Sequence, residues 1–338
     1  MKAIYLVHFG RPEVAFETRE IPVPSPNENQ VIVKVEAFGL NFADISARNG
    51  KYRDCPPLPC VIGYDVVGKV KAVGKNATTV KPGDRVAAMT RFGGYAEYVA
   101  ADFRGVVKIP EDMPLTFAGA IAVQYCTAYY SCIECVNVHE GDFALVHAAA
   151  GGVGTALVQL LKHNGAIVFG TCGSDEKIKY LKSLGVDHPI NYRTTDYKNE
   201  IIKAIGSKKL DFVFDSVGGK YVRDGIKLLD AGGKLVSYGA SQIMGGNLFS
   251  KIKIGWQFGI YHPAVFLINS KSLIGVSILR LADHKPQVIQ RCLESVVELF
   301  NEGAIKPAGG LEFPVEKLGE AHLAVEERKT MGKVMVKW

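Results

Sequence analysis

The sequence predicts an α/β protein of two domains, a β-rich domain and a doubly wound parallel sheet with helices on both faces. Three observations predict it. The chain has 338 residues, a length suited to about two domains. Its first third is a series of short β-like runs broken by Pro, Gly and Asn. From Asp142 onward, apolar runs alternate with helical patterns, the rhythm of strand–helix–strand units.

Taken in order, Ile4–Val7, Gln30–Val35 and Asp65–Val70 read as strands, with IPVPSPNENQ and KPGDRV as the breaks between them. Short strands at this spacing make a small barrel or sandwich. Leu115 to Val136 reads as helical. Phe143–Ala148 is a buried-strand run, Gly154–His163 a helix, Ala166–Thr171 a second strand and Asp175–Leu184 a second helix. Leu210–Asp215 and Lys234–Tyr238 continue the alternation. Gly245–Ser272 is aromatic and apolar, with Trp256, Phe258, Tyr261 and Phe266, and reads equally as an insert lining a substrate cleft or as a core helix. Pro286–Asn301 reads as a helix and Gly332–Trp338 as a last strand.

Composition narrows the function. Apolar residues are 48% and charged residues 22% of the chain, too apolar for a mainly disordered protein. The net charge is +6, from scattered basic residues without the aromatic-interleaved stripe of a nucleic-acid binder. That bias suits a polyanionic cofactor as well as it suits an ordinary surface. The N-terminal MKAIYLVHFG reads as a strand and not as a secretory leader, so seven cysteines, an odd number, point to the reducing cytoplasm. Phe143–Leu161 carries no Asp, Glu, Lys or Arg over a membrane-like length, but its glycines make it strand, turn and helix, and no membrane span is expected.

The strongest chemical signal is Ala149-Ala-Gly151-Gly152-Val153-Gly154, between a strand and a helix. Gly151 lets backbone approach a pyrophosphate, Gly154 lets helix pack on strand, and the helix N-terminus receives the anion. A fold selective for NAD places an acid about 20 residues on. Here that strand ends in Thr171-Cys172-Gly173-Ser174, with Asp175 and Lys177 slightly later. Gly173 and Ser174 leave room and a donor for a 2′-phosphate, Lys177 supplies charge, and Tyr192 flanks the same position. NADPH is therefore the expected cofactor. Ser216, Val217, Tyr238 and Gly239 fall at the carboxyl ends of later strands, where ligands bind. Cys132-x-x-Cys135 lies deep in an apolar helical pattern and reads as core packing, not as a redox motif. His147, just before the glycine turn, reads as strand packing.

At this point the chain resembles the zinc-independent quinone oxidoreductase branch of the medium-chain dehydrogenase/reductase superfamily. The signatures are Asn41-x-x-Asp44-x-x-x-Arg48-x-Gly50-x-Tyr52, His147-Ala-Ala-Ala-Gly-Gly-Val-Gly154 and Asp215-Ser-Val-Gly218. Within it, Gly39–Asp44, His188–Tyr197 and the insert around Trp256 look like the VAT-1 group. The resemblance implies a GroES-like catalytic domain over residues 1–122 and 285–338, a Rossmann domain over 123–284, and a homodimer. Zinc-dependent relatives place a catalytic ligand where this chain has Leu40-Asn41, and Gly-His-Glu where it has Gly63-Tyr64-Asp65. No cysteine lies between Cys60 and Cys126, so no four-cysteine lobe is present and no metal is expected. By resemblance, Thr127 lies beside the nicotinamide, and Asn41, Val276 and Lys333 touch the cofactor. Asn41 and Tyr52 are the candidate catalytic residues, orienting the oxygen of a quinone-like acceptor or stabilising its developing charge. Asp44 and Arg48 are expected to pair and support this loop. Enone or alkenal reduction uses the same site logic. A lipid-surface role is the alternative of another class, drawn from apolar Ile254–Ser270 beside Lys251, Lys253 and Lys271, with Pro263 breaking the helix it would need.

Overall fold

The computed structural model describes residues 1–241 and 258–338. It divides into two compact units, Met1–Cys126 with Ile278–Trp338, and Thr127–Ser277.

The first unit is built on β1 (Lys2–Leu6), β2 (Phe16–Glu20), β3 (Gln30–Leu40), β4 (Cys60–Val61), β5 (Asp65–Val73), β6 (Arg85–Met89), β7 (Tyr98–Asp102) and β8 (Val106–Lys108), joined from the far end of the chain by β15 (Leu311–Pro314) and β16 (Val334–Lys337). One sheet runs β2-β1-β4. The larger runs β15-β16-β3-β5-β6-β8, with β7 also pairing β3. β3 is the spine. Flanked by β5, β7 and β16, it exposes only Lys34 and Glu36 and buries Phe38 and Leu40 completely or nearly so. Those side chains join Ile62, Val66, Val86 and Val334 in the core. β2, of sequence FETRE, is a half-exposed edge strand; its charges hide it from a hydrophobic pattern and protect the edge from further pairing.

The second unit is a six-stranded sheet of β9 (Phe143–Val146), β10 (Ile167–Cys172), β11 (His188–Asn191), β12 (Leu210–Asp215), β13 (Leu229–Ser237) and β14 (Ser272–Gly275), all parallel, in the order β11-β10-β9-β12-β13-β14. Helices Gly152–His163, Asp175–Ser183, Tyr197–Ile205 and Lys220–Leu228 connect them. Central strands β9 and β12 are almost wholly buried, as a sheet covered on both faces requires. The order reverses between β9 and β12, and a ligand binds at the carboxyl ends beside such a reversal.

The helix expected from Leu115 is present as a segment reaching Glu134, but its α-turns (Leu115–Ala120, Cys126–Tyr129) alternate with π-type stretches (Ile121–Tyr125, Tyr130–Glu134). Such stretches absorb an extra residue per turn and concentrate at functional positions. Cys132 is buried there, its thiol pushed up by desolvation. None of the seven cysteines forms a disulfide.

Of the aromatic insert, Trp256, Lys251 and Lys253 lie outside the described residues. Phe258, Tyr261 and Phe266 pack on the core of the second unit. Pro263 does not break a helix but starts one, Pro263–Asn269, at the first-turn position where proline is tolerated. Ile260, Leu267 and Ile268 beside it are 91%, 82% and 80% exposed. Among the described residues no helix is long and apolar enough to cross a membrane.

Candidate functional site

The glycine turn begins where β9 ends. Ala148 takes a left-handed φ of 53°, and Gly151 caps the helix Gly152–His163 in an extended conformation. A methyl on Gly154 would overlap the Ala148 carbonyl oxygen and come within 2.7 Å of Ala149 Cα, so only glycine allows this helix to approach the strand. The first intrahelical bond here runs from Thr155 N to Gly151 O at 2.8 Å. The amides of Gly152, Val153 and Gly154 precede it and form the positive end of the helix, suited to a phosphate. His147 is packing, as expected: it is fully buried between Tyr197 and Tyr221, its Nδ1 lies 3.1 Å from Thr171 Oγ1, and desolvation lowers its pKa to about 3, leaving it neutral.

A second cluster stands at the ends of β10 and β11. Ser174 caps the helix Asp175–Ser183 by accepting from Lys177 N at 3.3 Å, and its own hydroxyl hydrogen remains to donate. A methyl on Gly173 would lie 2.8 Å from Tyr192 Oη and 3.4 Å from Arg193 Nε. The Lys177 charge is felt at Cys172, the last residue of β10. Gly173, Ser174, Lys177 and Tyr192 thus come together. Arg193, which sequence reasoning passed over, joins them; its signal was a cation directly after Tyr192. Asp175, the acid nearest the strand tip in sequence, accepts from Asn191 Nδ2 at 2.9 Å.

Across the reversal, Asp215 organises the turn after β12 by accepting from Val217 N at 3.1 Å and Gly218 N at 2.8 Å, and burial raises its pKa to about 6. Ser216 and Val217 follow it, half-exposed. Tyr238 N donates to Asp215 O, and a methyl on Gly239 would lie 2.9 Å from Ser216 O, so these two strand ends touch. Buried Val276 hangs from β13 through a 2.9 Å bond from its N–H to Ser237 O. Thr127, buried, sits in the α-turn between the two π-type stretches.

The other candidates lie in the first unit. Asn41 precedes the helix Phe42–Arg48, and its backbone N–H donates to Asp44 Oδ2 at 2.8 Å. Its side-chain Nδ2 donates to Asp65 Oδ2 at 2.7 Å. Lys333 Nζ donates to both Asp65 oxygens, at 2.8 and 2.7 Å, and reaches Asn41 Oδ1 at 3.3 Å. The Lys333–Asp65 pair is 1% and 0% exposed. It lies over Gly39, where a methyl would overlap Asp65 Oδ1 and Lys333 Cε and Nζ. Tyr52 stands edge-on to Tyr64 with ring centroids 5.7 Å apart; burial, then the charge of Asp54, raises its pKa, so its phenol keeps its proton.

The expected Asp44–Arg48 pair does not form. Asp44 turns back to its own helix start, while Arg48 turns outward to Glu326. Burial pushes the Asp44 carboxyl up to about 8. Tyr95 reaches Asp44 and stands 3.0 Å from His322 Nε2. At the positions where zinc-dependent relatives bind metal, this chain therefore presents Asn41, Tyr64 and an aspartate held by a lysine. Among the described residues, no group of three or more His, Cys, Asp and Glu side chains is arranged to hold a metal ion.

A β-rich unit fed by both ends of the chain, with a six-stranded dinucleotide-type sheet between them, defines a medium-chain dehydrogenase/reductase architecture. Comparison with known proteins agrees. Residues 27–111 match the alcohol dehydrogenase GroES-like domain, and residues 152–294 match the family described as zinc-binding dehydrogenase. The human synaptic vesicle membrane protein VAT-1 homolog is 36% identical, covering 99% of this chain and 86% of that protein. Human quinone oxidoreductase is 34% identical, covering 95% and 93%. The crystal structure of Escherichia coli quinone oxidoreductase complexed with NADPH superposes with a TM-score of 0.85 at 26% identity, covering 100% of each chain. The chain belongs to the zinc-independent quinone oxidoreductase family of the medium-chain dehydrogenases/reductases, close to VAT-1.

Proposed function

We propose that this protein binds NADPH and reduces a quinone or a related electron-poor acceptor, without zinc. The observation that carries the reading is the cluster at Gly173, where a serine hydroxyl, a tyrosine and two cations surround the strand tip and the neighbouring acid is bonded elsewhere. That donor set fits a 2′-phosphate and offers no carboxylate to a ribose 2′-hydroxyl. The backbone at Gly151–Gly154 fits the pyrophosphate, since the amides of Gly152, Val153 and Gly154 precede the first helical bond, from Thr155 N to Gly151 O, at the positive end of the helix.

When bound, NADPH supplies the hydride. The chain's own residues bind and orient. Gly151, Gly152, Val153 and Gly154 receive the pyrophosphate; Gly173, Ser174, Lys177 and Tyr192, with Arg193, hold the 2′-phosphate. Ser216, Val217, Tyr238, Gly239, Val276 and Thr127 support the nicotinamide half; the resemblance assigns Asn41 and Lys333 to the cofactor too. Asn41 and Tyr52 are hydrogen-bond donors to the acceptor oxygen, stabilising negative charge as it develops there. Tyr52, protonated across the neutral range, can also deliver the proton.

The homodimer is supported by β14, the edge strand of its sheet, and by exposed Leu273 on it, with Leu267 and Ile268 close by in sequence. A cytosolic setting is supported by cysteines that form no disulfide. The test is NADPH oxidation followed by absorbance, with NADH in parallel, against 1,4-benzoquinone, 9,10-phenanthrenequinone and a simple enone. Turnover of a quinone that prefers NADPH is expected. Turnover of the enone alone reassigns the acceptor, and binding without turnover on any acceptor defeats the reading.

A further inference from the structure

We propose that Asp65 and Lys333 are positioning residues that fix which end of the Asn41 carboxamide faces the acceptor; the proposal rests on the reductase reading above. An asparagine side chain turned by 180° exchanges a donor for an acceptor at almost no steric cost. Nothing in its own shape prevents this, and in most surroundings both forms are accessible.

Here the neighbours forbid the exchange. Lys333 has only donors and Asp65, as a carboxylate, only acceptors. With Nζ 3.3 Å from Asn41 Oδ1 and Asp65 Oδ2 2.7 Å from Asn41 Nδ2, the flipped amide would set N–H against ammonium and carbonyl against carboxylate. The clamp leaves Asn41 one Nδ2 hydrogen that neither partner takes up. It also polarises that hydrogen, because a cation on Oδ1 draws electron density from the amide.

The packing argues that this is more than a filler. A buried ion pair is costly to desolvate, and well-packed apolar residues serve a core as well or better. This pair is also admitted only by Gly39, whose methyl-bearing alternative would overlap both partners. The fold gives up a side chain on its central strand to keep two charges beside Asn41.

The experiment compares wild type, Asn41→Ala, the apolar double variant Asp65→Leu/Lys333→Met and the triple variant that combines them. Changing both partners together avoids stranding one buried charge, which alone could unfold the chain. Melting temperature and NADPH affinity by fluorescence titration report folding and cofactor binding; kcat and KM with a quinone report positioning. The double variant is expected to keep its fold, while kcat at saturating NADPH falls roughly 10- to 100-fold, the scale of a misplaced transition-state donor; saturation removes from that readout any contact Lys333 itself makes with the cofactor. In the Asn41→Ala background the same two changes should cost less than about threefold more, because the clamp acts only through that amide. Unchanged kcat in the folded double variant, or full additivity with Asn41→Ala, overturns the clamp and leaves the reductase reading intact. If the double variant does not fold, Asp65→Asn, which keeps an acceptor for Asn41 Nδ2 but lets its own amide flip, must lower kcat by at least threefold or the clamp is likewise overturned. A wild-type protein inactive on every acceptor overturns both.

Discussion

Removing the two cations near Gly173 should convert a cofactor preference into indifference. Arg193 Nε lies 3.4 Å from the point a Gly173 methyl would occupy, and Lys177 is in the first turn of the helix capped by Ser174, so a phosphate beside Gly173 is within direct reach of at least one charge. Two unit charges about 4 Å apart attract by ~1 kcal/mol in water and ~4 kcal/mol at the reduced dielectric of a protein surface. Arg193 is exposed and Lys177 half-buried, which sets each contribution near the lower limit. Taking ~1.4 kcal/mol for each, Lys177→Ala and Arg193→Ala should each weaken NADPH about tenfold, and the double variant about 100-fold if the two act independently. NADH, with no 2′-phosphate, should bind within twofold of wild type throughout. Fluorescence titration of both cofactors at 50 mM and 500 mM salt measures this, and the selectivity should shrink at the higher salt as screening grows. Loss of NADH binding in parallel, or a loss of NADPH binding below threefold in the double variant, would refute the assignment of this cluster to a 2′-phosphate.

Other expectations follow from the same geometry. Gly154→Ala places a methyl against the Ala148 carbonyl and should abolish measurable dinucleotide binding and lower the melting temperature, read by titration and calorimetry. Asp44 is held protonated up to about 8 in the folded chain, whereas an unfolded aspartate ionises near 3.8; its contribution to stability is full below the unfolded value and is lost as pH rises towards 8. Asp44→Asn should therefore flatten the fall in melting temperature between pH 5 and pH 8, and an unchanged slope would show that another group sets it. Leu273→Lys on the edge strand should shift the protein towards monomer in sedimentation velocity without reducing NADPH affinity.

What was legible in the sequence was local. The turn at Gly151–Gly154 is written in consecutive residues, because its chemistry needs a strand end, a close approach and a helix start in immediate succession. The strands of the second unit are legible because they are buried on both faces and read as unbroken apolar runs. β2 was not, since an edge strand of sequence FETRE carries its stability in backbone pairing that leaves no hydrophobic pattern. The Asp44–Arg48 expectation failed because helical spacing brings two side chains near each other but does not choose their partners; the helix start claimed the acid and Glu326 the arginine. Lys333 was legible as a site residue but not as the counter-ion of Asp65, a contact across 268 positions that no local pattern encodes.

That long reach has a consequence for how the protein is made. The second unit is one continuous stretch, Thr127–Ser277, and can complete its sheet while synthesis is still under way. The first unit cannot. Until β16 emerges and pairs with β3, Asp65 lacks its cation and Asn41 its second anchor. A nascent chain would thus complete the six-stranded sheet and its glycine turn well before Asn41 gains its second anchor.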